Sequence, residues 1–153
     1  MIQVWRLGGQ RGTSTLEFIV VLPMLLFIFL GGLELSRAWF TATIATNAAR
    51  EGARLAAATG PADPAIPLFA NAKTAGEGRI LEILTVANLT APVKSVDCYE
   101  GLITGPVSVT CPTNSQVMAT VTINFVTVAP VFLASFGVPN PLVLTEKSIM
   151  RRE

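Results

Sequence analysis

The sequence predicts an α+β fold in which a long, apolar N-terminal helix is followed by a second helix and a three- to four-stranded antiparallel sheet. One observation is an uncharged apolar run of 16 residues at 18–33, which has no polar face of the kind that a soluble helix presents to water. The other is a change of pattern after residue 91, where helical periodicity gives way to alternating apolar and polar side chains, most clearly over 117–128. The order of these patterns places the helices before the sheet.

The apolar run reaches the length of a membrane anchor when its flanks are included. Sixteen residues span roughly 24 Å at about 1.5 Å per residue, whereas the hydrocarbon core of a bilayer is about 30 Å thick. A segment over about 16–40 closes this gap and ends at Trp39 and Phe40, whose rings suit the membrane interface. Arg6 and Arg11, with no acid beside them, favour a cytoplasmic N-terminus. We therefore expect a single-pass protein whose C-terminal part lies on the far side of the membrane.

Composition argues against several classes of function. Hydrophobic residues make up 51% of the chain and charged residues only 14%, which fits a membrane-anchored protein. The net charge of +1 gives no reason to expect a nucleic-acid partner. The chain has no histidine, the commonest general base and metal ligand, and its acidic residues are scattered rather than clustered. We expect no enzymatic activity, no catalytic residue, no metal and no cofactor.

The two cysteines, Cys98 and Cys111, do not have the C-x-x-C spacing of a metal or redox site. In an oxidising compartment a disulfide that closes a hairpin-sized loop is the natural interpretation, with a stabilisation of about 3 kcal/mol in the chain-entropy model. Two buried free thiols are the alternative.

Beyond the membrane the first helix is predicted to continue to about residue 58, with small side chains along one face. Such a row lets another helix or a sheet approach closely. It packs either on this protein's own domain, which we favour for the last two members, or on the helix of a neighbouring subunit. The row of small side chains consists of Ala38, Ala42, Ala45, Ala49, Gly52 and Ala56.

Within the apolar part of the first helix, Pro23 predicts a kink.

The rest of the chain, residues 59–153, is predicted to form the α+β domain. After a Gly-Pro stop at 60–61, a second helix over 67–87 is indicated, although Gly76 and Gly78 weaken its middle and allow a break. For the apolar segment at 129–137 a core-covering loop, a helix on the membrane and a partner-facing patch remain open. The predicted strands are residues 93–98, 107–111, 117–128 and 142–150.

Two groups of residues in the first helix carry a family resemblance. Gly12-Thr13-Ser14-Thr15-Leu16-Glu17-Phe18 resembles the processing signature of type IV pilins, in which a Gly precedes the cleaved bond and the fifth mature residue is Glu. The helix later contains Asn47-Ala48-Ala49-Arg50-Glu51-Gly52-Ala53-Arg54. Together with Leu22-Pro23 and Glu34, these residues make the region of about 11–58 similar to the TadE-like family. The members of this family are minor pseudopilins of tight-adherence (Flp) pilus systems.

The resemblance implies that a prepilin peptidase removes residues 1–12 as a leader by cutting between Gly12 and Thr13, which leaves a mature helix over 13–58. It implies that Glu17 and Phe18 act in processing or docking. One physical mechanism for docking is neutralisation of the Glu17 carboxylate by the amine of a neighbouring subunit. The family motif residues are Asn47, Arg50, Glu51, Gly52 and Arg54.

The implied partners are the bacterial inner membrane, the prepilin peptidase, other pilins and pseudopilins, and the pilus assembly platform. The implied location is the inner membrane, with the C-terminal domain in the periplasm or carried into a pilus. The alternative is an uncleaved, signal-anchored periplasmic accessory or binding module without a pilus role, which requires nothing special of Gly12 or Glu17.

Overall fold

The computed structural model of the chain contains two helices and one antiparallel sheet, which confirms the predicted α+β fold. Helix α1 spans Arg11–Ala58 and helix α2 spans Leu68–Val86. Strands β1, β2 and β3 span Val93–Tyr99, Gln116–Phe125 and Leu142–Arg151. The structure describes residues 11–59, 68–91, 93–100, 105, 110–112, 114–128, 130, 134 and 137–152.

The chain divides into two compact units, Met1–Arg37 and Ala38–Glu153. Three predicted features lie wholly or partly outside the described residues: the leader before residue 11, the strand at 107–111 and the apolar segment at 129–137. The predicted division of the chain at residues 12 and 58 stays a prediction.

The first unit consists, in its described part, of the apolar half of α1. All side chains from residue 15 to residue 30 are exposed, although most of them are large and apolar. Glu34 and Arg37 form an ion pair at 3.3 Å, which places paired rather than isolated charges at the end of the apolar run. By length and composition α1 can cross a membrane, and it is a candidate anchor.

The sheet of the second unit is a meander with β2 in the centre. Both pairings are antiparallel, and Ala119 lies between Val96 and Ser148 in the register. The predicted inward positions of β2 from Val117 to Phe125 are buried, and Met118, predicted on the opposite face, is buried as well. β2 ends at Phe125 rather than at residue 128, because the Thr127 N–H donates to Asn140 Oδ1 at 3.3 Å and not to a neighbouring strand.

Two helices bury one face each against this sheet. Small side chains of α1 and larger ones of α2 form the core together with the inward face of the strands. The row of small residues therefore packs on the protein's own domain at its C-terminal end, while Ala38 and Ala42 are only half-buried. Helix α2 is continuous across Gly76 and Gly78, where the sequence allowed a break. The helical core residues are Ala45, Ala48, Ala49, Ala53 and Ala56 of α1 and Phe69, Ala72, Ile80 and Leu84 of α2.

Polar contacts and one covalent bond join the ends of these elements. Cys98 and Cys111 form the predicted disulfide, with their Cα atoms 5.7 Å apart. The buried Arg152 donates through Nη1 to the Cys111 carbonyl at 2.9 Å and through Nη2 to the Thr59 carbonyl at 3.3 Å. The end of α1, the end of β3 and the disulfide loop are thereby held together.

Candidate functional site

The residues of the predicted cleavage and docking site lie in the first turns of α1. In the described part of the chain α1 starts at Arg11, and the Gly12–Thr13 bond is helical. The side chains of residues 11–14 lie outside the described part. Glu17 and Phe18 are exposed, so both are accessible to a partner, and their roles stay predictions.

Pro23 lies inside α1, and the chain remains helical on both sides of it. Because proline has no N–H, the carbonyl of Ile19 lacks its usual helical partner at this point. A helix weakened in this way is compatible with the predicted kink, which stays a prediction.

The family motif at residues 47–54 divides between the core and the surface. Ala48, Ala49, Gly52 and Ala53 are buried. The polar members Asn47, Arg50 and Arg54 are exposed, and Glu51 is half-buried. One half of the motif therefore builds the fold, whereas the other half presents one amide and two guanidinium groups to solvent.

Gly52 is required by the close approach of α1 and α2. A Cβ atom on Gly52 would lie 2.5 Å from Ile80 Cγ1 and 3.1 Å from the carbonyl oxygen of Gly76. A Cβ atom on Gly76 would lie 2.8 Å from the carbonyl oxygen of Gly52. The two helices thus cross backbone to backbone at a pair of glycines, which explains why a motif otherwise rich in alanine contains glycine at this position.

Glu51 is half-buried and precedes Gly52, the residue at which α1 closely approaches α2. Glu51 forms no ion pair with Arg54, its neighbour three residues further along α1. The pKa of Arg79 is raised by its hydrogen bond to Glu82 and by the charge of Glu82, with a smaller contribution from the charge of Glu51. Glu51 of α1 thus has a minor electrostatic interaction with Arg79 of α2.

Arg54 lines an open cleft at the C-terminal end of α1. The cleft has a volume of about 280 Å³, and its other lining residues are Ala57, Ala58, Met150 and Arg151. Sequence reasoning did not single out Met150 or Arg151, because they are nearly a hundred residues from Arg54 in the chain. Within the described part of the chain, His, Cys, Asp and Glu form no group of three or more that is suited to a metal ion.

Comparison with known proteins identifies the N-terminal segment. Residues 12–54 match the family model of TadE-like proteins, and this segment is less than a third of the chain. No curated protein matches the chain, and no solved structure matches it. The match begins at Gly12 and ends at Arg54, which are the first residue of the proposed cleavage site and the last residue of the motif. Residues 12–54 are therefore similar to the TadE-like family.

Proposed function

We propose that the chain is a minor pseudopilin that acts in the assembly of a tight-adherence (Flp) pilus. The observation that carries this proposal is the TadE-like match at residues 12–54, which covers the cleavage signature, the apolar run and the motif on a single helix. A subunit of this kind acts by packing and docking, and we propose no catalytic activity for it. The absence of histidine from the sequence supports this view.

The proposed location is the bacterial inner membrane, with the N-terminus in the cytoplasm and the domain in the periplasm. No described part of the chain buries the apolar side chains of residues 15–30, whereas a bilayer would cover them. The disulfide between Cys98 and Cys111 fits an oxidising compartment. The disulfide supports the same orientation as the arginines that precede the apolar run, whereas the exposed apolar side chains support only the membrane anchor.

The proposed route into the assembly has two steps. A prepilin peptidase first cuts between Gly12 and Thr13 and creates a new α-amino group. The Glu17 carboxylate then meets the amine of a neighbouring subunit inside the membrane, where an unpaired carboxylate is costly and an opposite charge offsets part of that cost. The exposure of Glu17 on α1 supports this role, since no described residue of the same chain covers it.

The first test is the mass and N-terminal residue of the membrane-extracted protein, in strains with and without the prepilin peptidase. We expect a mature start at Thr13 that is lost without the peptidase or after Gly12→Val. Gly9→Val, in the same leader, is the matched control and should leave cleavage unchanged. Retention of Met1 in both strains would disprove processing and favour the signal-anchored accessory.

The second test addresses the pilus itself. Deletion of the gene should abolish surface pili, and the wild-type chain should restore them while Gly12→Val should not. Normal piliation in the deletion strain would exclude a required role in pilus assembly, whatever the result for processing.

A further inference from the structure

The cleft at the end of α1 combines two cationic side chains with an apolar floor. Arg54 comes from α1 and Arg151 from the last residue of β3, so the site exists only in the folded second unit. Ala57, Ala58 and Met150 supply the apolar lining. Both arginine side chains are exposed, which leaves the cleft accessible from solvent.

Neither arginine is engaged in an ion pair within the described part of the chain. A cation at the end of a helix commonly offsets the partial negative charge of the last carbonyl groups. In this protein Arg152 has that role, because it donates to the carbonyl of Thr59, directly after α1. No described carboxylate therefore competes with a ligand for the guanidinium groups of Arg54 and Arg151. Guanidinium groups are suited to carboxylates, which they bind through two parallel hydrogen bonds.

The position of the cleft helps to define its ligand. Arg54 lies roughly 21 Å along α1 from Phe40, at the proposed membrane boundary, which is beyond the reach of lipid phosphates. A volume of about 280 Å³ with an alanine and methionine floor exceeds the needs of a small anion and accommodates aliphatic side chains. The matching ligand is a protein segment that carries a carboxylate next to an aliphatic residue.

We propose that this cleft is a docking site for an acidic, aliphatic segment of a partner protein, with Arg54 and Arg151 binding its carboxylate. The site joins one arginine of the TadE-like segment to a residue outside that segment. It goes beyond the proposed pseudopilin function and rests on the proposed membrane anchor only in the exclusion of lipid phosphates. It does not require cleavage at Gly12, so binding and processing can fail independently.

The test uses the full chain in a neutral detergent and a fluorescein-labelled, C-terminally amidated peptide, Leu-Glu-Leu-Glu-Leu, with fluorescence anisotropy as the readout. We expect saturable binding that is absent for Leu-Gln-Leu-Gln-Leu. Arg54→Gln and Arg151→Gln should each weaken binding by about tenfold, the effect of one charge-assisted hydrogen bond. Arg50→Gln is the matched control: it removes the same charge from an exposed position on α1 that does not line the cleft, and binding should be unchanged.

Ala58→Trp tests the apolar floor, because an indole ring at this exposed position would fill the cleft without changing the core. This variant should weaken binding. The urea concentration at which half of the protein is unfolded should stay at the wild-type value. The proposal is wrong if the two cleft variants bind like wild type, or if Arg50→Gln weakens binding as much as they do. It is equally wrong if inorganic phosphate displaces the labelled peptide as readily as the unlabelled peptide does, since the cleft would then be a simple anion site.

Discussion

Replacing Gly76 by alanine tests whether the contact between α1 and α2 is as close as the structure indicates. The added methyl group would lie 2.8 Å from the carbonyl oxygen of Gly52, 3.0 Å from Ala56 Cβ and 3.2 Å from Val96 Cγ2. The nearest of these atoms belongs to the backbone of another helix, so no change of side-chain rotamer relieves the contact. The helices would have to separate.

Gly78, two residues further along α2, is the matched control. Nothing lies within 4 Å of a Cβ atom placed there. In both positions alanine favours the helix by about 1 kcal/mol over glycine. Overpacking of a tight interior contact costs about 1–3 kcal/mol, and a backbone contact belongs at the upper end of that range. We expect Gly76→Ala to lower the free energy of unfolding by about 1–2 kcal/mol and Gly78→Ala to raise it by up to about 1 kcal/mol.

The measurement is pulse proteolysis of the detergent-solubilised full chain across a urea gradient. With a urea dependence of about 1–3 kcal/mol/M, the midpoints of the two variants should differ by about 1 M, with wild type between them. Equal midpoints for the two variants, or a higher midpoint for Gly76→Ala than for wild type, would refute the backbone crossing at Gly52 and Gly76.

Three further predictions address other parts of the protein. Cys98→Ser with Cys111→Ser should lower the free energy of unfolding by about 3 kcal/mol in the same assay, and a reducing agent should then have no further effect on the midpoint. Arg152→Ala should cost about 2–3 kcal/mol, because it removes the two charge-assisted hydrogen bonds of a buried guanidinium group, whereas the exposed Arg151→Ala should change the midpoint little. Glu17→Ala should still be processed to a Thr13 N-terminus, but piliation should be lost; normal piliation would exclude docking through this charge.

The order of elements was predictable because each local pattern reports directly on its own backbone. The apolar run predicted α1, and the Gly-Pro stop predicted where α1 ends. The alternation of apolar and polar residues predicted β2 and with it the sheet. The continuity of α2 was less evident, since propensity disfavours glycine inside a helix. Tertiary packing reversed this expectation at Gly76, where only a residue without a side chain fits against α1.

The candidate site was predictable only in part, because local patterns report on neighbouring residues and not on residues that packing brings together. Gly12, Glu17 and the motif at 47–54 are contiguous signals on one helix, which the sequence displays directly. The role of Glu51 depends on where α2 places Arg79, and the cleft depends on where β3 places Arg151. No local pattern contains such distances.

The amino-acid sequence thus determined by itself the order of the two helices and the three described strands, that the first helix is apolar enough to enter a membrane, and which family its N-terminal third resembles. These properties follow from hydrophobicity and spacing within single elements. Only the tertiary structure decided which motif residues are buried, why Gly52 faces Gly76, and that Arg54 and Arg151 line one cleft. The physical reason is that packing joins residues far apart in the chain through excluded volume and charge, neither of which is encoded in the periodicity of any one segment.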